Sequence, residues 1–208
     1  MDADSSECMK KNILLINCYR EEAEIKIAGY HEWLKAGAAA AGYDLDILTI
    51  ADRDTLTESK LLSGVIVSGS QKMVGADEAE AGLLEFLNKN RRPLLGICYG
   101  HQVLARAFGC LVKKDGRKHL GEEEIFIKKA QGIFSAFPPV FKMRQSHEEI
   151  VERDGAFGLH FRVLAENAAG RVEAIVHREY PLYGVQFHPE KSGQFGIRLL
   201  VNFLNMMK

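Results

Sequence analysis

Cys98 stands in the middle of Gly96-Ile97-Cys98-Tyr99-Gly100, with an apolar run before it and a helical pattern after it. That places a thiol at a strand-to-helix corner. G-x-C-x-G has the mechanics of a nucleophile elbow, in which paired glycines let backbones pass where a side chain would clash. The N–H groups that open a helix favour negative charge, so they lower a thiol's pKa and can hold an oxyanion. Free cysteines are more commonly small buried side chains. Cys8, Cys18 and Cys110 take that reading, and the pentapeptide alone does not decide the matter for Cys98.

A thiolate nucleophile needs a base, and the base needs an orienting group. Of the seven histidines, only His188 has a matching context. It ends the apolar strand pattern of YGVQFHPE, and Pro189 holds it extended and closes the strand pairing. In extended chain, residues i and i+2 face one way, so His188 and Glu190 can address one site. A carboxylate beside an imidazole fixes its tautomer and stabilises the imidazolium. Together the three residues would supply a nucleophile, its base and the group that orients the base.

Elements must hold these groups. NILLINC (12–18) reads as an apolar strand, and residues 22–41 as a helix with Ile27, Tyr30, Leu34, Ala38 and Ala41 on one face, stopped by Gly42. YDLDILTI (43–50), GVIVSGS (64–70) and PLLGIC (93–98) follow as strands, with a helix over 77–90 between the last two. Near-continuous apolar strands separated by helices imply a parallel sheet covered on both faces. The second half contributes EEEIFIKKA, FKMRQSHEEIV, HFRVLAEN, RVEAIVHR and PLYGVQFHPE as strand-like pieces of a small antiparallel extension. FGIRLLVNFLNMMK closes the chain as a helix striped by Phe195, Leu199 and Phe203. KKDGRKH (113–119) reads as a charged turn and Trp33 as core. The expected architecture is one α/β domain over residues 1–208, with an open, mostly parallel sheet and a polar tail at 1–11.

Composition narrows the function. With 27 basic and 28 acidic residues, a net charge of −1 and no long basic block, nucleic acid is not an expected partner. No apolar run approaches the length of a membrane span. The cysteines form no CxxC pair and no Cys/His ligand spacing, so no metal is expected and a reducing, cytoplasmic setting fits.

Taken together, GICYGHQVLARAFG and GVQFHPEKSG resemble the two signature motifs of the class I (triad) glutamine amidotransferases, in the family's order of Cys, His, Glu. The resemblance extends over essentially the whole chain and implies the family's flavodoxin-like fold, with no cofactor. It implies Cys98, His188 and Glu190 as the triad, attacking the side-chain amide of glutamine to yield glutamate and ammonia for a synthetase partner. VIVSGS is similar to the family's oxyanion loop, which implies N–H donors near Gly69 and Ser70 and at Tyr99. Gln102 matches a position that contacts bound glutamine. Ser146 and His147, within FKMRQSHEE, match a segment beside its amino-acid end. Two departures stand out: SGSQKMVG is poorer in glycine and proline than the family loop, and Glu148 occupies a position where many members carry glycine. A stand-alone γ-glutamyl peptidase or amidase would use the same triad. A catalytically silent binding member has no physical need of it.

Overall fold

The four-residue runs GVIV and LLGI are completely buried, and they form the third and fourth strands of a nine-stranded sheet. The computed structural model describes residues 9–52, 54, 56, 61–76 and 78–207. Its strands are β1 (Met9–Asn17), β2 (Tyr43–Ala51), β3 (Gly64–Val67), β4 (Leu94–Ile97), β5 (Val112–Ile127), β6 (Val140–Val151), β7 (Phe161–Asn167), β8 (Val172–His177) and β9 (Leu182–Val185), ordered β2-β1-β3-β4-β9-β8-β7-β5-β6. From β2 to β9 every neighbouring pair is parallel, and from β9 to β6 every pair is antiparallel. The expected α/β class holds. The antiparallel part, however, is half of the sheet rather than a small extension.

The helices are α1 (Ala23–Ala41), α2 (Ala81–Lys89), α3 (Tyr99–Ala107), α4 (Gly155–His160) and α5 (Gly193–Leu204). On one face, Trp33 and Leu34 of α1 and Leu199 and Phe203 of α5 pack with Leu15, Ile66, Leu95 and Phe187. On the other, Leu83 and Leu87 of α2 and Val103 and Leu104 of α3 pack with Ile16, Val65 and Leu182. Side chains alternate between the faces of a strand, so each central strand supplies both layers. Gly42 ends α1 in the left-handed conformation at φ 72°, its N–H reaching the carbonyls of Ala38 and Ala39. Among the described residues no helix is long and apolar enough to cross a membrane.

Three expectations need correction. β1 begins at Met9, so residues 9–11 of the expected tail are in the sheet, while 1–8 lie outside the described residues. α2 begins at Ala81; Asp77, its expected start, lies outside the described residues. The 113–119 stretch is not a turn but an irregular part of β5, where pairing with β6 shifts register between Lys114 and His119. Within it the side chains of Asp115 and His119 are buried and joined at 2.9 Å, with Arg171 2.7 Å from Asp115 and Glu123 3.0 Å from His119. Tertiary partners, which composition does not show, fold this charged stretch into the sheet.

Candidate active site

The carboxyl ends of β1, β3, β4 and β9 face one side, where open α/β sheets place their sites. At the end of β4 the chain turns directly into α3, and Cys98 makes the turn at φ 53°, ψ −103°. Such a conformation costs a non-glycine residue about 1–3 kcal/mol and persists only where the surroundings impose it. Here they do. The Cys98 N–H donates to the Val185 carbonyl at 2.8 Å, and its carbonyl accepts the first helical bond from Gln102 at 3.1 Å. A Cβ on Gly96 would lie 2.4 Å from the Gly100 carbonyl oxygen, and one on Gly100 would lie 2.4 Å from that of Val67. The paired glycines thus serve close approach of β3, β4 and α3. The Tyr99 N–H, first in the helix, has no acceptor among the described residues.

His188 follows β9, its N–H donating to the Arg144 carbonyl at 2.8 Å. Pro189 starts a single 3-10 turn over Pro189–Lys191, so Glu190 is not on extended chain as the i, i+2 argument supposed. The turn still carries its carboxylate back to the ring: Oε1 is 2.8 Å from His188 Nδ1, and both side chains are buried. Nδ1–H is therefore the donor to Glu190. Among the described residues Nε2 makes no hydrogen bond within normal reach, and it faces Cys98. Contacts of this kind are often long before substrate binds. Burial disfavours charge on His188, but the Cys98 thiolate and then Glu190 outweigh it and push the pKa up to about 10. The Cys98 Sγ is 3.7 Å from the Ser146 carbonyl and accepts from Gln186 Nε2 at 3.8 Å.

Loop 68–75 is tied at nearly every residue. The Gly69 N–H donates to the Tyr30 hydroxyl at 2.8 Å, and the Ser70 hydroxyl donates to the Cys18 carbonyl at 2.7 Å. Lys72 Nζ is held by Asp52 at 2.5 Å, and the Glu149 carboxylate accepts the N–H groups of Val74 and Gly75 at 2.8 and 3.0 Å. The consequence is a correction: the Gly69 N–H is committed to Tyr30 and is not a free donor. The Ser70 N–H has no acceptor among the described residues. Gly69 remains close to the chemistry in another way, since a Cβ there would lie 3.1 Å from His188 Cε1 and 2.7 Å from the Tyr19 hydroxyl.

Cys98, Ser70, Tyr99, Gln102, Ser146 and His147 all line one cavity of about 260 Å³. The Gln102 amide nitrogen is already engaged, by the Glu149 carbonyl at 2.9 Å and Gln186 Oε1 at 3.1 Å. His147 Nδ1 is 2.9 Å from the Glu149 carbonyl, which only accepts, so Nδ1 carries the proton and Nε2 the lone pair. Burial, reinforced by the charge of the stacked His119, pushes His147 down to about 3 and keeps it neutral. Three contributors escaped the sequence reading: Gln186, Glu149 and Lys72. Gln186 had a signal, its position two residues before His188 in the segment that follows β9. The other two act through loop contacts that no local pattern shows. Cys18 and Cys110 are free and buried, whereas Cys8 lies outside the described residues.

With this geometry in place, known proteins agree with one another. The family model "Glutamine amidotransferase class-I" matches residues 26–207. One subunit of a glutamine-hydrolysing GMP synthase from Methanococcus aeolicus is 36% identical over 149 residues, covering 71% of this chain and 76% of that one. The corresponding subunit from Pyrococcus abyssi is 34% identical over 145 residues, covering 69% and 75%. A GMP synthase of Borreliella burgdorferi is 37% identical over 145 residues, but they make up only 27% of its length. Among solved structures, a Thermoplasma acidophilum protein described as a GMP synthase subunit superposes with a TM-score of 0.75 at 24% identity, covering 94% of this chain and 92% of that one. A glutamine amidotransferase of Thermotoga maritima gives 0.68 at 21%, covering 90% and 80%. At those identities the superpositions speak for the fold.

Proposed function

Because this chain belongs to the class I glutamine amidotransferase family, we propose that it hydrolyses the side-chain amide of glutamine and passes the ammonia to a separate synthetase chain. The relatives covered over three quarters of their length are subunits of glutamine-hydrolysing GMP synthases, so the partner proposed is the synthetase component of an enzyme of that kind. The observation that carries the reading is the placement of a strained Cys98 beside a buried His188–Glu190 pair at the wall of one cavity.

In the proposed reaction the Cys98 thiolate attacks the amide carbon, and its oxygen becomes an oxyanion. The N–H groups of Ser70 and Tyr99 stabilise that charge. One such donor is worth about 3 kcal/mol in the transition state. His188 gives a proton from Nε2 to the departing nitrogen, and ammonia leaves. His188 then takes a proton from water, which attacks the thioester, releasing glutamate and restoring the thiolate. Glu190 holds Nδ1–H throughout, and Gln102, Ser146 and His147 shape the cavity around the glutamine chain. We read residues 1–208 as one such glutaminase domain, working in a reducing, cytoplasmic setting that suits its free buried cysteines.

The test is ammonia release from glutamine by the purified chain, beside glutamate release from a γ-glutamyl peptide, with Cys98→Ala as control. Glutamine turnover that vanishes in the variant is the expected result. Peptide cleavage without glutamine turnover would replace the amidotransferase by a γ-glutamyl peptidase.

A further inference from the structure

Four charged side chains line the cavity beside Cys98: Lys72, Lys118, Glu148 and Glu149. Two are consumed by the fold. Lys72 is buried against Asp52, with Glu80 3.4 Å away, and the Glu149 carboxylate accepts two loop N–H groups. Among the described residues the other two hold only each other, at 3.9 Å, with side chains 60% and 45% exposed. A pair that long and that exposed contributes little to the fold.

Its position is informative. Lys118 is on β5 and Glu148 on the adjoining strand β6, next to the directly opposed His119 and His147. Ser146, whose carbonyl lies 3.7 Å from Cys98 Sγ, is two residues before Glu148 and faces the same way. The two charges thus stand about 7 Å further along the strand from the point of attack. In glutamine, three bonds, about 4 Å, separate the amide carbon from the α-carbon and its two charged groups. Flexible lysine and glutamate side chains span the remainder.

We propose that Lys118 and Glu148 recognise the zwitterionic α-carbon of a γ-glutamyl amide, Lys118 taking the α-carboxylate and Glu148 the α-ammonium. The proposal rests on reading the cavity as the amide-hydrolysing site. The substrate opens a loose ion pair and replaces it by two, so no net charge enters the cavity. Neutral His147 beside them offers no competing cation. Glu148 then adds an attractive contact rather than repelling the carboxylate. The substrate class that follows is γ-glutamyl amides with both α groups free, excluding N-acylated glutamine and simple amides.

The test uses the full chain carrying Cys98→Ala, titrated calorimetrically with L-glutamine, with glutaramate, which lacks the ammonium, and with 4-aminobutyramide, which lacks the carboxylate. Glu148→Gln weakens L-glutamine binding about tenfold or more and leaves glutaramate unchanged. Lys118→Met weakens L-glutamine similarly and leaves 4-aminobutyramide unchanged. With Cys98 intact, each variant raises KM and keeps kcat, the mark of lost uniform binding. Tighter glutamine binding in Glu148→Gln, or wild-type affinity and KM in both variants, overturns the assignment while leaving glutamine hydrolysis standing. Absence of hydrolysis with Cys98 intact overturns instead the function on which it rests.

Discussion

Glu190 Oε1 lies 2.8 Å from His188 Nδ1, and this contact decides which ring nitrogen serves Cys98. With Nδ1–H engaged, Nε2 is left to exchange protons at the thiol side. Glu190→Gln keeps the ring but offers it an amide, so orientation and stabilisation of the imidazolium weaken while the base remains. His188→Ala removes proton transfer itself, worth roughly 10²–10⁴-fold. Steady-state ammonia release should therefore fall in both, and further in His188→Ala. Equal, negligible losses would remove both residues from the mechanism.

The second expectation concerns charge. His188 is pushed up to about 10 against the opposing effect of burial, with the Cys98 thiolate as the largest upward cause and Glu190 next. A raised imidazole pKa stabilises the folded state fully below about pH 6.5, and that contribution is lost as pH rises through about 10. Cys98→Ala removes the larger partner, so His188 should titrate at lower pH, and the loss of stability above about pH 6.5 should be smaller and complete at lower pH. NMR titration of the His188 ring in the two proteins reads this directly. An unchanged His188 pKa would show that the thiolate does not face it.

The triad could be read in the sequence because each member carries a local mark. Gly96 and Gly100 flank Cys98 at the spacing a tight strand–helix crossing requires, and Pro189, next after His188, opens the turn that carries Glu190. The loop opposite carries no such mark. Whether Gly69 or Ser70 presents its N–H depends on the Tyr30 hydroxyl, which arrives from α1 some 39 residues away in sequence. Glu149 likewise reaches from β6 to Val74 and Gly75 across 75 and 74 residues. The parallel half of the sheet was visible in its apolar runs. β5 was hidden because Asp115 and His119 look like turn residues until Arg171 and Glu123 neutralise them. Local spacing finds corners, but side chains arriving from other elements decide what surrounds them.

Tyr30→Phe tests which loop amide serves the oxyanion. It leaves the buried Gly69 N–H without an acceptor, at a cost of about 1–3 kcal/mol in stability, and lets loop 68–75 move. If Ser70 is the donor, kcat should fall by roughly tenfold or more, with KM for glutamine little changed because Gly69 touches no substrate group. If the Gly69 N–H were the donor, freeing it from Tyr30 would raise kcat. Kinetics together with a thermal melt separate the two outcomes.

Glu173 is fully buried on β8 and plays no part in the chemistry, yet it governs stability against pH. Gln145 Nε2 donates to its Oε2 at 2.7 Å and Asn167 Nδ2 to its Oε1 at 3.1 Å. Burial, with the charge of Glu123 adding to it, pushes its pKa up to about 8, so the folded protein holds this carboxyl protonated at neutral pH. The unfolded chain ionises it from about pH 4.5 upward. Between those values the folded state binds one more proton, and stability declines by roughly 1.4 kcal/mol per pH unit. Glu173→Gln copies the protonated shape without the titration, and its amide can meet Gln145 Oε1, which has no partner among the described residues. The variant should match the wild type near pH 4.5 and gain on it up to about pH 8, then level off. Urea midpoints at pH 5 and pH 8 measure the difference; an equal gain at both would mean that Glu173 ionises in the fold as freely as in the unfolded chain.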